Sequence, residues 1–470
     1  MRRPVWLKGL PHPNPVVMNQ IDQQNRVARG LADALITADN NKAAAKVRLT
    51  SALGREWRWL DALTIAVHRK FGVFAGPSLA LLVEPLVQLI ARQRGFVGAW
   101  DGRVRPPQMS AYFVAPRTMQ ARAYPCDQWT VPDLPTTTDL AGWLALSGSE
   151  LDWFAGQNGF AQADAEALRH YRYQWISKRN GSLRLLEAPK SRLKSIQRQI
   201  LKGILEFVPP HEAAHGFRAR HSCLSHASLH AGKAMVLRMD LRDFFASVSA
   251  ARVQAVFCAL GYPQAVAWKL TGLCTHAGRR SHLIAAGTGL PLQWRALSPY
   301  TAPHLPQGAP SSPVLANLCS FKLDLRLAAL ADDADAAYSR YADDLTFSGD
   351  AAFARGALRL VDSITAVVVA EGFAINSVKT RLMHGAQRQT IVGLVVNTRP
   401  NVRRADFDRL KAVLHQCIRD GPETQNRDGV ADFRAHLQGR VAHQAYVHPV
   451  RGAKLRTMFE SIVWRSAGVT

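Results

Sequence analysis

Apolar residues recur at helical spacing through most of the first 130 positions. Ala28 to Ala38, Ala52 to Phe71 and Ser78 to Gln93 each carry an apolar stripe at intervals of three and four. Trp57, Trp59, Ile65, Ala66 and Phe71 read as core there, and no catalytic constellation stands out. Prolines (Pro106, Pro107, Pro116, Pro125, Pro132, Pro135) then punctuate a connection over 104–137. Thr138-Asp139 caps a helix through Leu146, and Ser149-Glu150 starts another through Phe154. Alternation predicts strands Tyr171 to Ser177 and Leu183 to Glu187, joined by Lys178-Arg179-Asn180-Gly181-Ser182, where Asn-Gly is a hairpin signal. A helix from Ser191 to Phe207 turns Leu193, Ile196, Ile200 and Ile204 inward and Arg192, Lys194, Arg198 and Lys202 elsewhere. From 234 the pattern alternates. A strand (Ala234 to Asp240), a helix (Ala250 to Leu260) and a loop-rich insertion over about 277–304 come first. A helix (Ser312 to Leu330), a hairpin (Ala336 to Ser348), a helix (Ala352 to Glu371), strands to Asn397 and a helical tail from about 404 follow. The pattern predicts an α+β fold after a mostly helical N-terminal region.

The 470 residues suffice for two or three domains, and 47% hydrophobic with 20% charged residues fits a folded globular chain. Charge changes the picture. The net charge of +24 is spread along the chain, which suits a protein that tracks polyanions better than an ordinary small-molecule enzyme. The bland alternatives are a generic basic protein and a binder of anionic membranes. The most apolar stretch, Phe74 to Ala91, is broken by Pro77, Glu84 and Pro85, so no membrane span is expected. Met1-Arg2-Arg3-Pro4 lacks the apolar core of a signal peptide. Six cysteines without a C-x-x-C pair read as thiols in a reducing cytoplasm.

Candidate chemistry centres on Tyr341-Ala342-Asp343-Asp344. Two adjacent carboxylates at a hairpin tip repel, and each raises the other's pKa. A hard divalent cation such as Mg²⁺ removes that cost and points to phosphate chemistry. The same triplet at Ala331-Asp332-Asp333 follows a helical stretch and reads as a solvated helix end. The strand Val236-Leu237-Arg238-Met239 delivers Asp240, which alone reads as a satisfied strand-end carboxylate. With Asp343 and Asp344 it completes the ligand set of a two-metal phosphoryl transfer. His226 and His230, four apart, read as structural histidines unless a third ligand joins them.

These blocks stand in an order that resembles reverse transcriptases of the bacterial retron and group II intron lineage, over roughly residues 138–465. Asp240-Leu241-Arg242-Asp243-Phe244-Phe245 resembles the first catalytic block, Leu305 to Pro313 the next, and Tyr341 to Asp344 the third. Glu371-Gly372-Phe373 through Asn376 and Lys379 resembles the fourth. Leu437 to Arg440 and Gly452 to Leu455 resemble the thumb. The resemblance implies a right-hand polymerase fold: fingers over 131–233, palm over 234–400 and thumb over 401–470. The extension over 1–130 is expected to bind RNA or a partner. Asp240, Asp343 and Asp344 would hold two Mg²⁺ ions, and Lys379 would protonate pyrophosphate. Phe245 would exclude a 2′-hydroxyl and so select dNTP substrates, with Asp243, Gln307 and Gly308 also at the nucleotide. Arg184 and Arg218 are expected to grip triphosphate through multidentate contacts, whereas Lys178 and Arg179 read equally as solvated turn charges. Arg192, Lys194 and Arg198 would follow template phosphates, and His226 and His230 would bind RNA.

Ala214-His215-Gly216-Phe217, Gly393-Leu394-Val395-Val396-Asn397, the insertion and the absence of a recognisable nuclease segment resemble retron enzymes. Two signatures depart. His226-Ala227-Ser228-Leu229-His230 stands where the family has N-A-x-x-H, and Ile391-Val392-Gly393 where it has V-T-G. The family implies a structured non-coding RNA copied in part to an RNA–DNA product, an effector protein partner and a cytoplasmic antiphage role. Two alternatives stay open: another defence-associated or group II-like enzyme with different priming, and a catalytically idle RNA-binding scaffold.

Overall fold

Gly54 breaks the helical run predicted from Ala52 to Phe71. In the computed structural model, residues 15–76, 83–101, 105–113, 119–120, 122, 126–156, 165–177, 183–288, 290 and 294–464 are described. The chain divides into two units, Met1–Thr118 and Met119–Thr470. The first holds α1 (Pro15–Ile36), α2 (Lys42–Leu53), α3 (Leu60–Phe71), α4 (Val83–Ala91) and α5 (Arg94–Gly98). Gly54 ends α2 at φ +69°, a left-handed cap that apolar periodicity does not register. Leu31, Leu35, Leu49, Leu60, Leu63, Leu86 and Phe96 fill this unit's own core. Trp59 is buried as expected, but Ile65 is exposed; Leu63, Thr64 and Val67 take the inner face of α3. The expected start of a helix at Ser78 lies outside the described residues.

The second unit opens with α6 (Thr137–Trp143) and α7 (Gly148–Phe154). Thr136 with Asp139 and Ser147 with Glu150 form capping boxes, so both helices start earlier than the sequence pairs suggested. Strands β1 (Tyr171–Ser177) and β2 (Leu183–Pro189) pair antiparallel, and the turn 178–182 lies outside the described residues. Helix α8 (Ser191–Gly203) buries Leu193, Ile196 and Ile200 and gives way to a 3-10 turn over Leu205–Phe207. Then come α9 (Cys223–Leu229), β3 (Met235–Asp240), α10 (Phe244–Ser247), α11 (Ala250–Ala259) and α12 (Gln264–Cys274). The insertion, expected to be loop, contains α13 (Arg280–Ala285) and α14 (Trp294–Thr301). The helix predicted from Ser312 to Leu330 is two, α15 (Ser312–Cys319) and α16 (Phe321–Asp332), parted at Ser320. Asp332 ends α16, as the solvated-end reading expects. The hairpin is β4 (Ala337–Tyr341) and β5 (Asp344–Gly349), followed by α17 (Ala351–Ala370), β6 (Arg381–His384), β7 (Thr390–Ile391) and β8 (Leu394–Val395).

Strands β4, β5, β3 and β6, in that spatial order, form one antiparallel sheet. Alternation gives it two faces of different chemistry. Met235, Leu237, Met239, Leu345 and Phe347 join the main core with Leu315, Leu323, Leu327 and Ile364 from the helices. The opposite face carries Asp240 and Arg238 on β3, Asp344, Thr346 and Ser348 on β5, and Tyr341 and Ser339 on β4. The tail forms α18 (Arg404–Asp420), α19 (Phe433–Val447) and α20 (Pro449–Glu460), packed around Leu410, Leu414, Leu437, Val441 and Leu455.

Between β7 and β8, Val392 at φ +41° and Gly393 at φ +87° make the turn. A β-branched residue is strained there, where asparagine or glycine fits. Val392→Asn is expected to stabilise the protein by about 1 kcal/mol. A melting temperature equal to or below the parent's would count against this.

Candidate active site

Strand register brings the carboxylates together. Asp240, the last residue of β3, pairs with Asp344, the first of β5. Asp343 sits in the turn before it, and its carbonyl accepts from the Leu241 N–H at 2.8 Å. The turn depends on Ala342 at φ +57°, a left-handed conformation that alanine rarely adopts. Buried hydrogen bonds hold it. Arg340 and Asp324 of α16 are both 0% exposed, and Arg340 donates from Nε and Nη2 to the Asp324 carboxylate at 2.7 and 2.5 Å. Its Nη1 donates to Asn317 Oδ1 and to the Ala342 carbonyl, each at 3.0 Å. Tyr338 donates its hydroxyl to Asp324 at 2.8 Å.

The Ala214-His215-Gly216-Phe217 block lies beside this hairpin. Arg340 N–H donates to the Ala213 carbonyl at 2.7 Å, and His215 N–H to the Arg340 carbonyl at 2.8 Å. Asn317 Nδ2 donates to the Gly216 carbonyl at 2.8 Å. A Cβ on Gly216 would lie 2.6 Å from the Ala342 nitrogen, so only glycine lets the segment approach the turn.

Electrostatically the three acids are unequal. Burial, then the nearby Asp240 and Asp344, raises the Asp343 pKa. Burial also raises Asp344, against the lowering pull of Arg238. Arg238 donates to both Asp344 oxygens, from Nη2 at 2.7 and 2.9 Å and from Nε at 3.0 Å. Lys379 Nζ donates to both oxygens of Asp240 at 2.9 and 2.7 Å, and Asn376 Nδ2 adds a bond at 3.2 Å. Among the described residues no three His, Cys, Asp or Glu side chains converge as a ready metal cage. The residues nonetheless fit a hard divalent cation: the donors are all carboxylate oxygens, burial and nearby carboxylates disfavour charge on Asp343 and Asp344, and two protein cations already lie against the group.

The expected nucleotide residues are gathered in part. Phe245 is half-buried, with its ring 5.7 Å from Phe244 and 6.0 Å from Phe217. Phe244 is buried and packs on Phe373, the core role expected of it. The Gln307 carbonyl accepts from Glu187 N–H on β2 at 2.9 Å. Gly308 has φ +136°, and a Cβ there would sit 2.9 Å from the Glu187 carbonyl oxygen. These contacts seat the Pro306-Gln307-Gly308 block on the β1–β2 hairpin. Asp243 (φ +48°) and Arg184 are exposed. Arg218 instead props its own loop, donating to the His211 and Glu212 carbonyls at 3.4 and 3.2 Å. On α8, Arg192 and Arg198 are exposed and Lys194 is half-buried; Arg192 donates to the Ala145 carbonyl at 3.1 Å.

The expected RNA contact by His226 and His230 is corrected: both rings are 0% exposed. They cover the carboxylate-bearing face of the sheet, just below the acids. His226 hydrogen-bonds to Ser339 at 2.7 Å and Thr346 at 3.3 Å; His230 bonds Ser348 at 2.7 Å and Ser339 at 2.8 Å. Helix α9, which carries His226, is capped by Ser222, whose Oγ accepts from Tyr446 of α19 at 2.6 Å. Burial holds both rings neutral, His230 down to about 3 and His226 well below its ordinary value. In the unfolded chain they take up protons near pH 6.5, so stability is full above that pH and falls as pH drops toward the folded values. Between about pH 7.5 and pH 5 each ring is expected to cost about 2 kcal/mol. Urea titrations at the two pH values should show a smaller loss in His230→Asn; an equal loss would refute the assignment.

Sequence reasoning missed Arg340, Asp324, Gly216 and Arg238 as parts of the site. The signal for Arg238 was strand alternation, which puts it on the same face as Asp240.

A family model described as reverse transcriptase (RNA-dependent DNA polymerase) matches residues 176–402. The chain is similar to the Retron Mx65 reverse transcriptase of Myxococcus xanthus, 37% identical over 70% of this chain and 72% of that protein. Similarity to the Retron Mx162 reverse transcriptase of the same organism is 34% identity over 76% and 72%. For the Retron Ec86 reverse transcriptase of Escherichia coli the figures are 31% over 53% and 70%.

Proposed function

Since the chain belongs to the retron reverse transcriptases, which are RNA-directed DNA polymerases with a fingers, palm and thumb fold, we propose that it copies a structured non-coding RNA into DNA by two-metal phosphoryl transfer. The observation that carries this reading is the register that sets Asp240 opposite Asp344, with Asp343 on the adjoining turn. Asp240, Asp343 and Asp344 would hold two Mg²⁺ ions, which supply Lewis-acid stabilisation at the attacking 3′-oxygen and at the phosphates. The chain's own residues do the rest. Phe245 packs against the deoxyribose of the dNTP, leaving no room for a 2′-hydroxyl. Gln307 and Gly308, seated on β2, line the base, and exposed Asp243 and Arg184 lie toward the triphosphate. Lys379 Nζ, when it parts from Asp240, carries a proton for the departing pyrophosphate. Arg218 would join the triphosphate once it leaves the His211 and Glu212 carbonyls. Arg192, Lys194 and Arg198 offer positive charge to template phosphates.

No helix of the described residues is long and apolar enough to cross a membrane. A cytoplasmic antiphage role with an effector protein, an RNA–DNA product and an RNA- or partner-binding role for the N-terminal unit belong to the same proposal.

Full-length protein should extend a primer on an RNA template when given Mg²⁺ and dNTPs. No extension under those conditions would favour an RNA-binding scaffold. Phe245→Ala is expected to raise ribonucleotide use relative to dNTPs by roughly 10- to 100-fold, the range a single steric contact discriminates. Unchanged selectivity would remove Phe245 from the sugar site. Sequencing the nucleic acid that copurifies tests the RNA: one short RNA joined to DNA supports a retron product, and a diverse pool supports different priming.

A further inference from the structure

We propose that Arg238 is a positioning residue that competes with the divalent cation for Asp344, and thereby sets the cation concentration at which the carboxylate site fills. This rests on the reading that Asp240, Asp343 and Asp344 hold Mg²⁺.

The competition is built into the strands. Arg238 lies two residues before Asp240, so alternation puts both side chains on one face. From there the guanidinium reaches across to β5 and engages both oxygens of Asp344 through three hydrogen bonds. A fork of this kind is among the stronger charged hydrogen bonds, and it fixes the orientation of the carboxylate. Its setting is sheltered, with the side chains 31% and 15% exposed, so solvent screens it incompletely.

Lys379 on Asp240 differs in kind. It reaches in from the 3-10 turn Ser377–Lys379, is 44% exposed and ends in a compact ammonium, so it can leave toward solvent. Arg238 starts from mid-strand, its backbone paired between β5 and β6, and its side chain is less exposed than that of Lys379. His226 nearby is held neutral, so it adds no second charge to the fork. A divalent cation taking up Asp344 therefore meets a guanidinium already attached to it. The fork has to open, or the cation has to tolerate a positive charge on the same carboxylate. Either way, removing the guanidinium tightens cation binding. Among the described residues no cation is bonded to the Asp343 side chain, so the fork bears on the Asp344 side of the site.

The test uses Mn²⁺ alone as the probe. Free Mn²⁺ is followed by electron paramagnetic resonance while the full-length protein, stripped of nucleic acid, is titrated at fixed ionic strength. Arg238→Gln is expected to bind Mn²⁺ about tenfold more tightly than the parent protein. Arg238→Lys, which keeps the charge without the fork, should fall between the two. Equal or weaker binding by Arg238→Gln would overturn the proposal, because the guanidinium would then be inert or would help to present Asp344. Asp343→Asn separates the two levels: if it binds Mn²⁺ as tightly as the parent, the carboxylates are not the metal site and the underlying reading fails instead. Thermal melting confirms that each variant is folded. Arg238→Met replaces the glutamine variant if that one does not fold.

Discussion

Asp343→Asn is expected to lower primer extension on an RNA template about a thousandfold while melting at or above the temperature of the parent protein. The loss follows from the charge that a metal-holding carboxylate contributes to phosphoryl transfer, worth several kcal/mol. The gain follows from the site's electrostatics. The Asp343 carboxylate is raised by burial and by Asp240 and Asp344. A carboxylate raised in the folded state favours folding only when protonated; as pH rises through its folded pKa, ionisation works against the native state. At neutral pH a near-isosteric amide relieves that strain, with a stabilisation of about 1 kcal/mol. Steady-state extension and a melting curve on the same preparation check both halves. Retained extension would remove Asp343 from the catalytic centre. A large drop in melting temperature would mean that the charge is already compensated.

Arg340→Met is expected to destabilise the protein by about 3–5 kcal/mol and to take activity with it. Arg340 is fully buried and faces Asp324, Asn317 and the Ala342 carbonyl. Methionine fills much of the volume but leaves the Asp324 carboxylate buried with only the Tyr338 hydroxyl. The pair is therefore less a source of net stability than a commitment: breaking one side is costly, whereas replacing both partners with apolar groups is far less so. A double variant, Arg340→Met with Asp324→Leu, should regain part of the stability without regaining activity, because the Ala342 carbonyl stays unbraced. Urea unfolding of the single and double variants measures the coupling directly. Additive losses would show that the two residues do not act as one unit.

Where pattern and chemistry coincide, the sequence was a good guide. Alternation in 234–240 and 336–348 located β3 and the hairpin of β4 and β5, and the acids at their ends located the site. Helix breaks were harder. The apolar period runs through Gly54 and Ser320, yet a left-handed cap stops one helix and the non-helical backbone of Ser320 parts the other. The run Thr136-Thr137-Thr138 offers three hydroxyls in a row, and which of them caps is decided by Asp139 reaching back. His226 and His230 are the structural histidines their spacing suggested, but the RNA contact implied by the resemblance failed, because their hydroxyl partners lie more than a hundred residues away in the sequence. Arg340 was hidden for a similar reason: only the folded sheet and α16 show that Asp324 waits behind the turn that carries Asp343.

The buried bracing of Ala342 bears on how this enzyme can be recombined. The hairpin that carries Asp343 and Asp344 spans few residues, yet its strained turn is kept in shape by Gly216, Asn317 and Asp324 from two other segments. A chimaera that imports 337–349 from a relative therefore inherits the acids without the frame that shapes their turn. The transferable cassette is discontinuous: 213–217, 312–332 and 337–349 have to travel together.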